Sequence, residues 1–249
     1  NTALNLGTQP VVGLFGGSTL INNSNGPAFR ITGGILTADA LTGTDGNGNR
    51  IAGTGTLLEA TNASLSLRTL AQGSGTDIAQ RVPVTAGAAN VSLTDSNLTL
   101  TGTDASVVGF GGLNTAPLTH TGIALIATNT GGPAETLSVA GSLLRLTNGV
   151  TLTDPAAQIQ LTGMAVTQTG GTSSLIESVG SLPISMAGSL FQATTTTLNP
   201  IAGKALVTLN TGNALTVGGH LFDLTGTNVD LTFGQAPDQP LVTLSGSNS

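Results

Sequence analysis

Residues 44–50 read TDGNGNR. Asp45, Asn47 and Asn49 place side-chain oxygens at alternate positions, as in the first half of an EF-hand calcium loop. The parallel then fails. Arg50 stands at the sixth position, where that loop needs glycine, and Thr56 at the twelfth, where it needs a bidentate glutamate. The stretch reads as a surface turn. His120 and His220 lie 100 residues apart, so no pair has metal-ligand spacing, and a solvated turn is expected for each. The 12 carboxylates include no adjacent two, whereas glycan cleavage needs a positioned acid and base. Asp223 and Asp230 fall on successive strands and are expected on different outer sides. No G-x-S-x-G turn presents a serine nucleophile, no Trp or Tyr offers a sugar platform, and no Cys supplies a thiolate or a disulfide. The expectation is no catalytic residue, no cofactor and no metal. One array stays open as ice-binding chemistry: TLT at 99–101 and 151–153, and TTTT at 194–197. Its outward positions would be Thr151/Thr153, Thr167, Thr197/Asn199, Thr216 and Asp230/Thr232, interrupted at Pro183 and Asp230. Threonine as a solvated β-former is the favoured reading.

What holds these residues is a repeat. An opening phrase recurs at Leu143 (LLRL), Ile159 (IQLT), Leu175 (LIES), Leu190 (LFQA), Leu206 (LVTL) and Leu221 (LFDL), at intervals of 16, 16, 15, 16 and 15. A second apolar phrase follows each, at Val150, Val166, Leu182, Leu198, Leu215 and Val229. The same words occur less regularly in the N-terminal half, in AFRITGGIL, LLEATNASLSL and VSLTDSNLTL, with looser stretches at 42–54 and 68–88 read as inserted loops. Alternation at every second residue excludes helix, and the TG, NTG, GG and NG breaks suit tight turns. Recurrence of the same strand at every second position favours stacking over a meander of hairpins. The fold class expected is all-β: a parallel β-solenoid of 15–16-residue two-strand units with a few inserted loops, forming one elongated domain over 1–249, most regular over 141–249. Two strands per turn is favoured and three is the alternative, which makes a rod on the order of 50–75 Å long.

The third letter of the opening phrase sets the register. It is Arg30, Glu59, Arg145, Glu177, Gln192, Thr208 or Asp223, and a charge there must meet water. Its neighbours then face inward: Phe29 and Ile31, Leu58 and Ala60, Leu144 and Leu146, Phe191 and Ala193, Val207 and Leu209, Phe222 and Leu224. The first letter shares the outward parity. Leu57, Leu143, Leu175, Leu190, Leu206, Leu221 and Leu241 would stack into an apolar stripe. Either the stripe is a lateral contact with another copy, or the position is a corner at which the side chain folds in.

Composition bounds the partners. Charged residues are 7%, Lys204 is the sole lysine and the net charge is −6, so no basic patch exists for nucleic acid. Hydrophobic residues at 39% argue against disorder. They are interleaved with Thr, Ser and Gly, and no run approaches the roughly 18 residues of a membrane-spanning helix.

The phrases GSLLRLTNGVTLT (141–153) and GHLFDLTGTNVDLTF (219–233) resemble repeats of bacterial secreted β-helix surface proteins, the autotransporter passenger domains and filamentous-haemagglutinin-type adhesins. That resemblance implies an extracellular or cell-surface location and a structural or adhesive role. The partners it implies are other copies of the chain, in a filament, sheath or surface layer, or a host or neighbouring-cell surface. A β-helix polysaccharide-active enzyme is the alternative.

Overall fold

The computed structural model describes residues 3–5, 12–15, 19–31, 35–37, 43–44, 50–51, 58–61, 64–73, 89–101, 106–111, 118–132, 135–147, 149–180, 182–201, 203–210, 214–225, 230–231 and 241–244, with side chains from 89 onward except Gly111, Leu118, Asp230 and Leu231. The described residues form strands, turns and bends, with no helix among them. Four parallel sheets carry the architecture. The first stacks Val12–Phe15, Leu58–Thr61, Ala89–Thr94, Ile123–Thr128, Ile159–Thr162, Phe191–Thr194 and Phe222–Thr225. The second stacks Thr19–Ile31, Ser64–Gly73, Asn97–Leu100, Glu135–Val139, Met164–Gln168, Thr197–Asn199 and Asp230–Leu231. The third stacks Ser106–Gly111, Ser142–Thr147, Ile176–Val179, Val207–Leu209 and Val242–Leu244, and the fourth Leu118–His120, Val150–Leu152, Ile184–Met186 and Leu215–Val217.

From Ala89 on, the chain visits the sheets in the order first, second, third, fourth, and then begins the next coil. This is a β-solenoid with four short strands per turn. The two-strand unit of the sequence is real, but it is half a coil. Leu144 lies beside Ile176, 32 residues on, and Ile159 lies beside Phe191, again 32 residues on. Like therefore stacks on the next unit but one, which corrects the expectation of two or three strands per turn. The longer coil makes the rod shorter. Seven strands spaced ~4.8 Å apart span only about 29 Å, below the length expected from small coils.

The opening phrase turns a corner. The Leu175 carbonyl accepts the N–H groups of both Leu143 (2.7 Å) and Leu144 (3.3 Å). The Gln158 carbonyl does the same for Ala124 and Leu125, and that of Leu241 for Leu206 and Val207. Two successive amides converging on one acceptor interrupt the pleat as a bulge does, so that consecutive side chains need not alternate. Leu143 and Leu144 are accordingly both 0% exposed. The core combines these corner residues with the inward columns, among them Leu144, Leu146, Ile159, Leu161, Ile176, Phe191, Ala193 and Val207. Each fully buried leucine or phenylalanine contributes about 2 kcal/mol by removal from water.

Other corners need special backbones. Between the first and second sheets Asp95 and Thr195 adopt φ 47° and Gly163 φ 66°. Between the fourth and first, successive coils approach backbone to backbone. A Cβ on Gly188 would strike the carbonyls of Pro155 and Ala156, and one on Gly218 the carbonyl of Ala187. Glycine is required there by space.

Candidate functional site

The outward side chains are the place to look for chemistry, and the four-strand coil decides which of them meet. Third letters separate onto three sheets: Arg30 lies on the second, Glu59, Gln192 and Asp223 on the first, and Arg145, Glu177 and Thr208 on the third. On the third sheet Arg145 stacks directly on Glu177, and its Nε lies 3.1 Å from the Glu177 carboxylate. On the first sheet Gln192 stacks on Asp223 and donates from Nε2 to Oδ2 at 3.1 Å. Hydroxyls pair in the same direction. Thr121 and Thr153 lie 2.9 Å apart, Thr194 and Thr225 3.1 Å, and Ser185 donates to Thr151 at 3.3 Å. Asn97 Oδ1 accepts both the N–H and the hydroxyl of Thr136 (2.8 and 2.9 Å). All these bonds run along the stack axis, from one coil to the next.

The Arg145–Glu177 pair bears on stability. The Glu177 side chain is only 10% exposed and that of Arg145 37%, so Glu177 depends on its partner more than a surface carboxylate would. Arg145→Thr, harmless on a purely outward reading, is expected to cost about 1–2 kcal/mol in urea denaturation. The double variant with Glu177→Thr should recover most of that loss. A single variant as stable as the parent would show the pair to be idle.

The structure divides the expected threonine array between two sheets. Thr151, Ser185 and Thr216 align on the fourth, and Thr167 and Asn199 on the second. TTTT is a corner. Thr194 and Thr197 belong to strands of the first and second sheets. Thr195 takes the left-handed turn, and Thr196 is fully buried with its hydroxyl on the Thr194 carbonyl at 3.0 Å. Asp95 occupies the matching corner three coils earlier. It accepts the N–H and the hydroxyl of Thr130, both at 2.7 Å, bonds that hold its carboxylate below its usual pKa.

The leucine row resolves residue by residue. Leu143, Leu175, Leu190 and Leu206 are at most 1% exposed. Of the two readings of the row, the corner with inward-folded side chains holds at these four positions and the outward stripe does not; at Leu143 and Leu206 a shared carbonyl marks the bend. Leu221 is half-buried against the core, Leu241 is 38% exposed in the last described coil, and Leu57 lies outside the described residues. The unit assigned to Ile159 is displaced by one: the corner position there is Gln158, whose carbonyl does what Leu175's does. Leu224, expected in the core, is 37% exposed on the last strand of its sheet.

The histidines part company. His220 is exposed at a corner, as expected. His120, also expected on a solvated turn, is 2% exposed, because it ends a strand on an inward column with Leu152 and Met186. Gln168 was not singled out by sequence reasoning and is a buried clamp. Its Nε2 donates to the carbonyls of Gly141 (3.0 Å) and Ser173 (2.7 Å), and its Oε1 accepts the Ile201 N–H at 3.1 Å. The one signal for it was a glutamine at the end of a strand where Val139 stands one coil before.

Asp45, Asn47 and Asn49 of the calcium-like turn lie outside the described residues. Among the described residues no three of His, Cys, Asp and Glu are grouped to hold a metal, and no helix is long and apolar enough to cross a membrane. No protein-family model, curated protein or solved structure matches the chain.

Proposed function

We propose that the chain is a structural or adhesive β-solenoid of a cell surface or the extracellular space, which builds larger assemblies from copies of itself. The direction in which its outward side chains bond carries this reading. Arg145 to Glu177, Gln192 to Asp223, Thr121 to Thr153 and Thr194 to Thr225 all stitch one coil to the next. A catalytic site would turn such groups toward a common point, with an acid, a base and a stabilising donor within reach of one substrate atom. Here they stiffen a rod.

The last described coil supplies the contact. Leu224, Leu241 and Leu244 are 37%, 38% and 74% exposed, where the matching Ala193, Leu206 and Leu209 are 0%, 0% and 9%. A strand edge that is uncovered among the described residues and carries apolar side chains seeks another strand, and a head-to-tail contact that does not close makes a fibre. Light scattering on the purified chain over a range of concentrations tests this. Particles larger than the monomer are expected, dispersed by Leu241→Lys with Leu244→Lys. A monomer at every concentration, unaffected by the two lysines, would overturn self-assembly.

A further inference from the structure

The inward columns of the fourth sheet are apolar except at one position. His120 stands in line with Leu152 and Met186. Neither of its ring nitrogens has a hydrogen-bond partner among the described residues. Its ring lies 4.4 Å, centroid to centroid, from that of Phe110 on the third sheet, tilted by 32°. The strands around it bring no charge inward. Ser106–Gly111, Ile123–Thr128 and Val150–Leu152 contain no ionisable residue, and on the third sheet Arg145 is turned outward to Glu177. The carboxylate that acts on His120 is Asp154 of the following coil. That group is itself 1% exposed and accepts the Ala156 N–H at 2.8 Å.

We propose that His120 is an acid-operated weak point of the solenoid, at which protonation of the buried imidazole opens the corner between the fourth and first sheets. An imidazolium needs two acceptors, and this interior holds neither within a hydrogen bond among the described residues. Water supplies both only after the strand Leu118–His120 separates from Val150–Leu152. Burial pushes the histidine down to about 4 from its ordinary 6.5, and Asp154 only partly opposes this. Above pH 6.5 the ring is neutral whether the corner is closed or open, so its contribution is complete. As pH falls from 6.5 toward 4 only the opened chain takes the proton, and stability is lost across that window. At pH 5 the opened form gains roughly 30-fold over its share at neutral pH.

The test uses the intact chain and His120→Leu, which continues the column of Leu152. Urea denaturation at pH 7.5 and pH 5 should show the parent's unfolding constant rising roughly 30-fold more than the variant's. Hydrogen exchange of the parent, corrected for intrinsic rates, should increase first at 118–124 and 150–158. Equal shifts in parent and variant would overturn the proposal, as would a gain in exchange spread evenly along the chain. If the variant does not fold, the parent's own imidazole resonance decides. Titration below pH 5 in the folded chain supports the weak point, and titration near 6.5 refutes it.

Discussion

Leu144→Asp is expected to remove roughly 4 kcal/mol or more of stability, enough to unfold many single domains. Leu144 is fully buried, with Val108 beside it on one neighbouring strand and Ile176 on the other. A carboxylate there loses its water and gains no donor from those side chains. The residue also sits at the corner where two amides share the Leu175 carbonyl, so the backbone cannot swing outward without breaking the link to the next coil. The penalty should grow from pH 4 to pH 7. Burial raises the carboxyl's folded pKa, so the less costly neutral form disappears as pH rises. Leu224→Asp makes the same chemical change on an inward column of the first sheet, where the residue is 37% exposed, and should cost about 1 kcal/mol. Urea midpoints of the two variants measure the contrast. Equal losses would mean that Leu224 is covered in solution, by a second copy or by another part of the chain.

The solenoid was legible because stacking makes equivalent residues recur, and the 15–16-residue interval between LLRL, IQLT, LIES and LFQA is a direct count of residues per repeat unit. Coil size was not legible from that count. Whether Leu143 stacks on Ile159 of the next phrase or on Leu175 of the next but one, an apolar residue meets an apolar residue, and both arrangements satisfy the pattern. The distinguishing signal lay in the third letters, where Arg145 and Glu177 are opposite charges 32 residues apart. It is a single pair, easily passed over. The leucine row was left between stripe and corner for a different reason. Strict alternation puts first and third letters on one face, whereas two amides sharing one carbonyl break the alternation in the first residues of the strand, as at Leu143 and Leu144. Hydrogen-bond sharing leaves no mark on residue type. His120 was expected on a solvated turn because flanking threonines made Thr-His-Thr resemble a polar turn, when the histidine ends a strand on its inward side and both threonines are exposed.

Gln158→Leu is expected to stabilise the chain by roughly 3 kcal/mol, a gain where most core substitutions are losses. The corner column of the first sheet runs Asn90, Ala124, Gln158, Leu190, Leu221, as fixed by the ladder of Val91, Leu125, Ile159, Phe191 and Phe222 beside it. Gln158 is 0% exposed, and neither its amide oxygen nor its amide nitrogen has a hydrogen-bond partner among the described residues. Each buried amide group left without a partner costs about 1–3 kcal/mol. Leucine is close to glutamine in volume, carries neither group, and already fills the next position of the column at 1% exposure. The backbone roles of residue 158 survive the change. Its N–H still donates to the Ser189 carbonyl at 3.0 Å, and its carbonyl still receives Ala124 and Leu125. The measurement is a pair of urea denaturation curves with the slopes compared as well as the midpoints, because an unchanged slope shows that the same surface is exposed on unfolding. A midpoint that falls instead of rising would mean that the amide is satisfied in solution by water held inside the corner, whose bonds leucine cannot replace. In that case Gln158→Glu should fall further still, since a carboxylate gives up more in the same place.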